Sequence, residues 1–160
     1  MKLFTIGVYG WSAEEFSRSI NETGITSLVD VRRRRGVRGP LYRFANATAL
    51  ERLVTHQGIR YIAEPRLAPS QEMRALQKDA DKKAGATKSS RAQLSPTFVH
   101  AYRSKILSAY SRDMLDQLLA IAGERPALLC VEREAEACHR SVLASWIAEQ
   151  TGFQVINLTP

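Results

Sequence analysis

Short apolar runs of strand length alternate with longer segments of helical period along nearly the whole chain, and that alternation restricts the fold more than any other feature. The runs are KLFTIGV at 2–8, ITSLVDV at 25–31, IRYIA at 59–63, PALLCVE at 126–132 and FQVINL at 153–158. Each is too short for a helix, and several are apolar on both alternating faces, the mark of a strand covered on both sides. Between the first two, Ser12 is followed three residues later by Glu15, the spacing of a capping box, and Gly24 ends the segment. ATALERLVTHQG at 47–58 and CHRSVLASWIAEQTG at 138–152 predict two further helices ending in glycine, and residues 97–123 predict one long helix or two. This order predicts an α/β, three-layer, Rossmann-like domain with a mainly parallel sheet of about five strands. The 160 residues, 44% hydrophobic, suffice for one such core and leave little room for a second.

One segment breaks the pattern. Residues 64–97 hold three prolines and a polar middle; a short helix over 71–82 is expected, with 84–95 as mobile loop. The domain is thus expected to run over 1–160 with a variable, mobile insert at 64–97.

In a parallel α/β sheet, right-handed crossovers align the strand carboxyl ends, and ligands sit in the crevice outside them. The loops after residues 8, 31, 62 and 131 are therefore the places for a site. Side chains two apart on a strand share a face, which pairs Asp30 with Arg32 and Cys130 with Glu132. Cys138, His139 and Arg140 stand where the last helix should begin. A helix start offers free N–H groups and partial positive charge, which favour anions and thiolates. On these grounds Cys138, His139, Glu132 and Asp30 are the candidate catalytic residues: a nucleophile or base, with proton handling by the imidazole. Arg32 and Arg140 are the candidate anion clamps, and Tyr9 and Trp11, just past the first strand, the candidate aromatic contacts. Plainer roles compete with each. Asp30 can pair with Arg32, Arg140 with Glu132 or Glu136, and both cysteines can pack as small hydrophobes.

Metal binding finds little support in the spacing. Two cysteines eight positions apart, followed by one histidine, match no standard zinc pattern, and no metal ligands are assigned. No cofactor is assigned either, and no phosphate-loop, dinucleotide or nucleophile-elbow motif occurs.

Charge indicates the partner. The chain carries +7, and residues 31–66 contain Arg32, Arg33, Arg34, Arg35, Arg38, Arg43, Arg52, Arg60 and Arg66 against only Glu51 and Glu64. Arginine without lysine suits phosphate recognition. A nucleotide or nucleic acid is the expected partner; a membrane is not, because no apolar run approaches the length of a span. With no secretory leader and only two cysteines, a reduced, cytoplasmic setting is expected.

TIGVYGWSAEEF, GITSLVDVRRRR, GIRYIAEPRLA and above all ALLCVEREAEACHRSVLA resemble the DUF488 family of small prokaryotic proteins, over Leu3 to about Leu158. The resemblance implies a Rossmann-like domain and places Asp30, Arg32, Glu132, Cys138, His139 and Arg140 on the family's motif positions. It implies no reaction. The chain departs from the family pattern at Val8, where a histidine is usual, at the arginine run that replaces a proline after the second strand, and at Ala68-Pro69. The leading expectation is an enzyme acting on a phosphate-bearing substrate, a hydrolase or transferase with Cys/His/Glu chemistry. The alternative is a non-catalytic nucleic-acid-binding module that grips through residues 32–43.

Overall fold

The structure, a computed structural model, describes residues 1–160 except Ser89. Five strands form one all-parallel sheet: β1 (Lys2–Gly7), β2 (Ser27–Asp30), β3 (Arg60–Ala63), β4 (Pro126–Cys130) and β5 (Gln154–Leu158), in spatial order β3-β2-β4-β1-β5. The helices are α1 (Ala13–Glu22), α2 (Ala47–Thr55), α3 (Gln71–Lys83), α4 (Pro96–Tyr102), α5 (Arg112–Ala122) and α6 (His139–Thr151). The three-layer Rossmann-like architecture expected from the alternation is what the chain forms, and the sheet is parallel throughout.

Strand position explains strand composition. The central strands β2 and β4 are buried along their whole length, whereas the edge strands β3 and β5 are partly exposed. Two cores lie on opposite faces of the sheet. On one, Phe16 and Ile20 of α1 and Leu50 and Val54 of α2 pack on Phe4, Ile6, Leu28 and Leu129. On the other, α4, α5 and α6 bring Tyr102, Leu115, Leu118, Leu143 and Ile147 onto Leu3, Val29 and Leu128. Local signals behave as read: Ser12 and Glu15 close a capping box at the start of α1. The long segment at 97–123 divides, with a single π turn at Arg103–Leu107 between α4 and α5.

The segment at 64–97 is more built than its composition suggests. The expected helix forms as α3, capped by the Ser70 side chain on the Met73 amide. After it the chain is irregular but tied down. Arg91 pairs with Asp81 at 2.7 Å and donates to the Ala137 carbonyl, the Leu94 amide donates to Glu136, and the Ser95 amide donates to the Gln77 side chain at 2.8 Å. The expected loop 84–95 includes Ser89, which lies outside the described residues.

Topology fixes where a crevice opens. Strand β4 is inserted between β1 and β2, whose following helices cover one face, while α6, which follows β4, covers the other. The connections therefore part at the carboxyl end of β4, the position where doubly wound sheets leave room for a ligand.

Candidate active site at the carboxyl edge of the sheet

A cleft of about 1170 Å³ opens at that edge. Tyr9, Arg32, Cys130, Glu132, Cys138 and His139 all line it, so the segments after β1, β2 and β4 meet at one rim. A hydrogen bond links two of them, from the His139 ring (Nε2) to the Val31 carbonyl at 3.3 Å.

At the tip of β2, Asp30 is fully buried. One carboxylate oxygen accepts from the Arg32 amide at 3.1 Å and from Arg32 Nε at 2.8 Å; the other accepts from Arg32 Nη2 and from the Tyr61 hydroxyl, both at 2.6 Å. The remaining Arg32 edge donates to the Ala45 carbonyl at 2.9 Å. Burial opposes the charge on Arg32, but the bidentate carboxylate outweighs it and raises the guanidinium above its ordinary value. Asp30 does not face the cleft, so the expectation of a catalytic carboxylate there gives way to an anchoring one. It holds Arg32, and Arg32 forms part of the wall.

Arg140 departs further from expectation. It is 1% exposed. Its guanidinium donates to the Glu132 carbonyl at 2.6 Å and the Arg133 carbonyl at 2.8 Å, and its Nε approaches the Thr5 hydroxyl at 3.4 Å. The expected anion clamp instead straps the β4–α6 loop against β1. Gly7 makes that strap feasible, because a Cβ there would stand 1.8 Å from the Glu132 carbonyl oxygen. Any larger residue would displace the loop that carries the site. Trp11 also falls outside the cleft, packing edge-on against Phe16 beside α1. Tyr9 stays on the cleft, its ring 5.0 Å from that of Tyr42.

Cys130 closes β4 and Cys138 occupies the cap position of α6, where its side chain accepts no capping hydrogen bond. Their sulfurs lie 3.7 and 3.8 Å from the same imidazole nitrogen, His139 Nδ1. With Nε2 donating to Val31, Nδ1 carries the lone pair that faces the thiols. The Tyr102 ring meets the imidazole edge-on at 5.6 Å and fixes its plane. The two thiols divide their protons unequally. Burial works against ionising Cys138, but the hydrogen bond from Cys130 and the nearby charge of Arg140 hold it well below the ordinary thiol value. As donor in that bond, and desolvated, Cys130 is pushed well above it.

Glu132 stands on the same rim, 8% exposed, with Lys88 Nζ 3.2 Å from its carboxylate. Burial raises its carboxyl above the usual range, and Lys88 only partly offsets that.

The cleft walls are basic. Of the nine arginines in 31–66, Arg32, Arg33, Arg34 and Arg38 line it. The opposite wall was not foreseen: Arg74, Lys78 and Lys82 project from α3, followed by Lys88 and Arg91. Burial and the charge of Arg33 lower the Arg74 guanidinium from its ordinary value, as like charges crowd across the opening. Among the described residues, Arg33, Arg34, Arg38, Arg74, Lys78 and Lys82 make no ion pair. The spacing of Arg74, Lys78 and Lys82, four apart on one helix face, was the available sequence signal. Tyr61 and Tyr102, which orient Asp30 and His139, had none, since only sheet register and helix packing bring them there.

Among the described residues, no helix is long and apolar enough to cross a membrane. No curated protein and no solved structure matches the chain. A family model does match, over residues 12–147, which include every cleft residue named above except Tyr9. On that match the chain belongs to the family described as "Domain of unknown function DUF488".

Proposed function

We propose that this protein is an enzyme acting on a phosphate-bearing substrate, a nucleotide or nucleic acid, held in the cleft at the carboxyl edge of the sheet. One observation carries the reading: unpaired basic side chains from two separate segments, 32–38 and α3, face each other across a cleft whose floor is a thiol–imidazole cluster with a buried carboxyl beside it. Unpaired cations repel one another across such a space, and an anion between them relieves that repulsion. Phosphates are the anions that arginine forks and lysines hold best. Tyr9, on the cleft with its ring against that of Tyr42, offers a ring face to a base.

The floor supplies the reacting groups. Glu132 keeps its proton to higher pH than an exposed glutamate and can pass one to or from a substrate oxygen. Cys138 and His139 face the same space, while Asp30 and Arg140 position their neighbours.

The test combines binding and turnover. Full-length protein is titrated with labelled nucleotides and a short single-stranded oligonucleotide at several salt concentrations, and the same ligands are followed for chemical change. Binding that weakens steeply with salt, is lost on Arg74→Ala with Lys78→Ala, and is accompanied by turnover that Cys138→Ala abolishes supports the reading. Salt-steep binding without turnover of any ligand favours the non-catalytic nucleic-acid module. Binding indifferent to salt and to both wall substitutions sinks the two together.

A further inference from the structure

Cys130, Cys138 and His139 come from two elements, yet their donor atoms all lie within 4.8 Å of one another. We propose that these three residues bind one thiophilic divalent cation of the zinc class, with its fourth coordination position open to the cleft.

The first argument is geometric. A tetrahedral ion with metal–sulfur bonds of about 2.3 Å and metal–nitrogen bonds of about 2.0–2.1 Å sets sulfur and nitrogen about 3.5–3.6 Å apart. The two observed sulfur–nitrogen separations are 3.7 and 3.8 Å. Both sulfurs converge on one nitrogen at nearly the edge length of that tetrahedron, so small side-chain shifts suffice to seat an ion.

The second argument is the state of the imidazole. A metal-binding histidine usually donates its other ring N–H to a carbonyl or carboxylate, which fixes the tautomer and leaves the ligating lone pair free. His139 does this through Nε2 to the Val31 carbonyl, and Nδ1 is the nitrogen left facing the sulfurs.

Charge and access complete the case. The three residues are 7%, 3% and 7% exposed, and all three line the cleft. Two thiolates in such a place are costly without a counter-ion, and a dication neutralises both; on binding it releases the thiol protons to solvent. Three protein ligands and an open position are the arrangement of catalytic rather than structural zinc sites. The ion site stands on these contacts alone. Its use, polarising a phosphate oxygen or a water beside Glu132, rests on the phosphate reading above.

Cobalt(II) is the probe. Reduced full-length protein, stripped of metal, is titrated with cobalt under inert gas. One cobalt per chain is expected, with sulfur-to-cobalt charge-transfer absorption, the intense visible bands of a tetrahedral centre, and displacement by zinc. Cys130→Ser, Cys138→Ser and His139→Ala should each weaken cobalt binding more than about 100-fold, beyond the usual cost of outer-shell changes. Circular dichroism checks that each variant folds. A second measurement uses the wild type alone: a thiol reagent should titrate both cysteines in the metal-free protein and neither after one equivalent of zinc. The proposal is overturned if the wild type gives no charge-transfer band, if Cys138→Ser binds cobalt as tightly as wild type, or if zinc leaves both thiols reactive. A chain that takes up cobalt but ignores nucleotides keeps the ion site and loses the phosphate reading; one that binds nucleotides through Arg74 and refuses cobalt does the reverse.

Discussion

The tips of β2 and β4 are neighbours in the sheet and both end in polar residues, yet they are finished in opposite ways. At β2 every strong group is satisfied within the protein. Asp30 takes four hydrogen bonds, three from Arg32 and one from Tyr61, and Arg32 uses a further donor on Ala45. At β4 the groups are held in place but not used up. Two thiols share one imidazole nitrogen at distances too long for strong hydrogen bonds, and among the described residues Glu132 pairs with a lysine that is itself largely exposed. A saturated tip is architecture, and an unsaturated one keeps its valence for something that arrives. Formal charge in the sequence points to the first; at the second, two thiols and an imidazole are left with capacity to spare.

The largest effect expected from this contrast is on folding, at β2. Asp30→Asn leaves Arg32 buried without its counter-charge, and urea unfolding should show a loss of about 3–5 kcal/mol. Cys138→Ser, at the start of α6 beside the β4 tip, should cost only on the order of 1 kcal/mol in the same assay, although it removes a group proposed to react. If the two losses were equal, the division between built and reserved tips would fail.

Next in size is a pair of opposed pH effects. Glu132 is raised by burial, so folding takes up a proton there. Its stabilising share is complete below the unfolded value and is lost as pH rises through the native one. Glu132→Gln should therefore melt higher than wild type at neutral pH and match it in acid. Glu64 is the reverse. Burial opposes its ionisation, but Arg66 at 2.6 Å and the Tyr110 hydroxyl at 3.2 Å win and lower its value. Its share is present above the unfolded value and lost as pH falls through the native one, so Glu64→Gln should melt lower at neutral pH and converge with wild type in acid. Thermal melts across pH would expose a common sign, which would erase the distinction.

The smallest effect concerns the cleft walls. If Arg74 and Lys78 contact phosphate, replacing either by alanine should reduce the salt slope of oligonucleotide binding by about 0.7. Arg43→Ala, outside the cleft, should leave the slope unchanged.

Much of this was legible in the chain. Strand runs, the capping box and the terminal glycines depend on neighbouring residues, and they predicted five strands, the helix positions and the sheet edge where the cleft opens. Cys138, His139, Glu132 and Tyr9 were placed on the cleft because that edge follows a topological rule. Arg140 and Trp11 were misplaced for one shared reason. Proximity along the chain does not say whether a side chain points into the opening or back under the loop. The α3 wall was overlooked although its helix was expected, because nothing local says that its basic face turns toward the opening.

The sequence by itself determined the class of fold, the edge of the sheet to search and the types of groups available there, because these follow from period, spacing and strand order. Only the tertiary structure decided which of those groups are spent and which are free. The same Asp, Arg or Cys is anchor or reactant according to what fills its hydrogen-bonding and coordination capacity, and those partners come from segments more than a hundred residues away in the chain, brought together by the packing of helices on a twisted sheet.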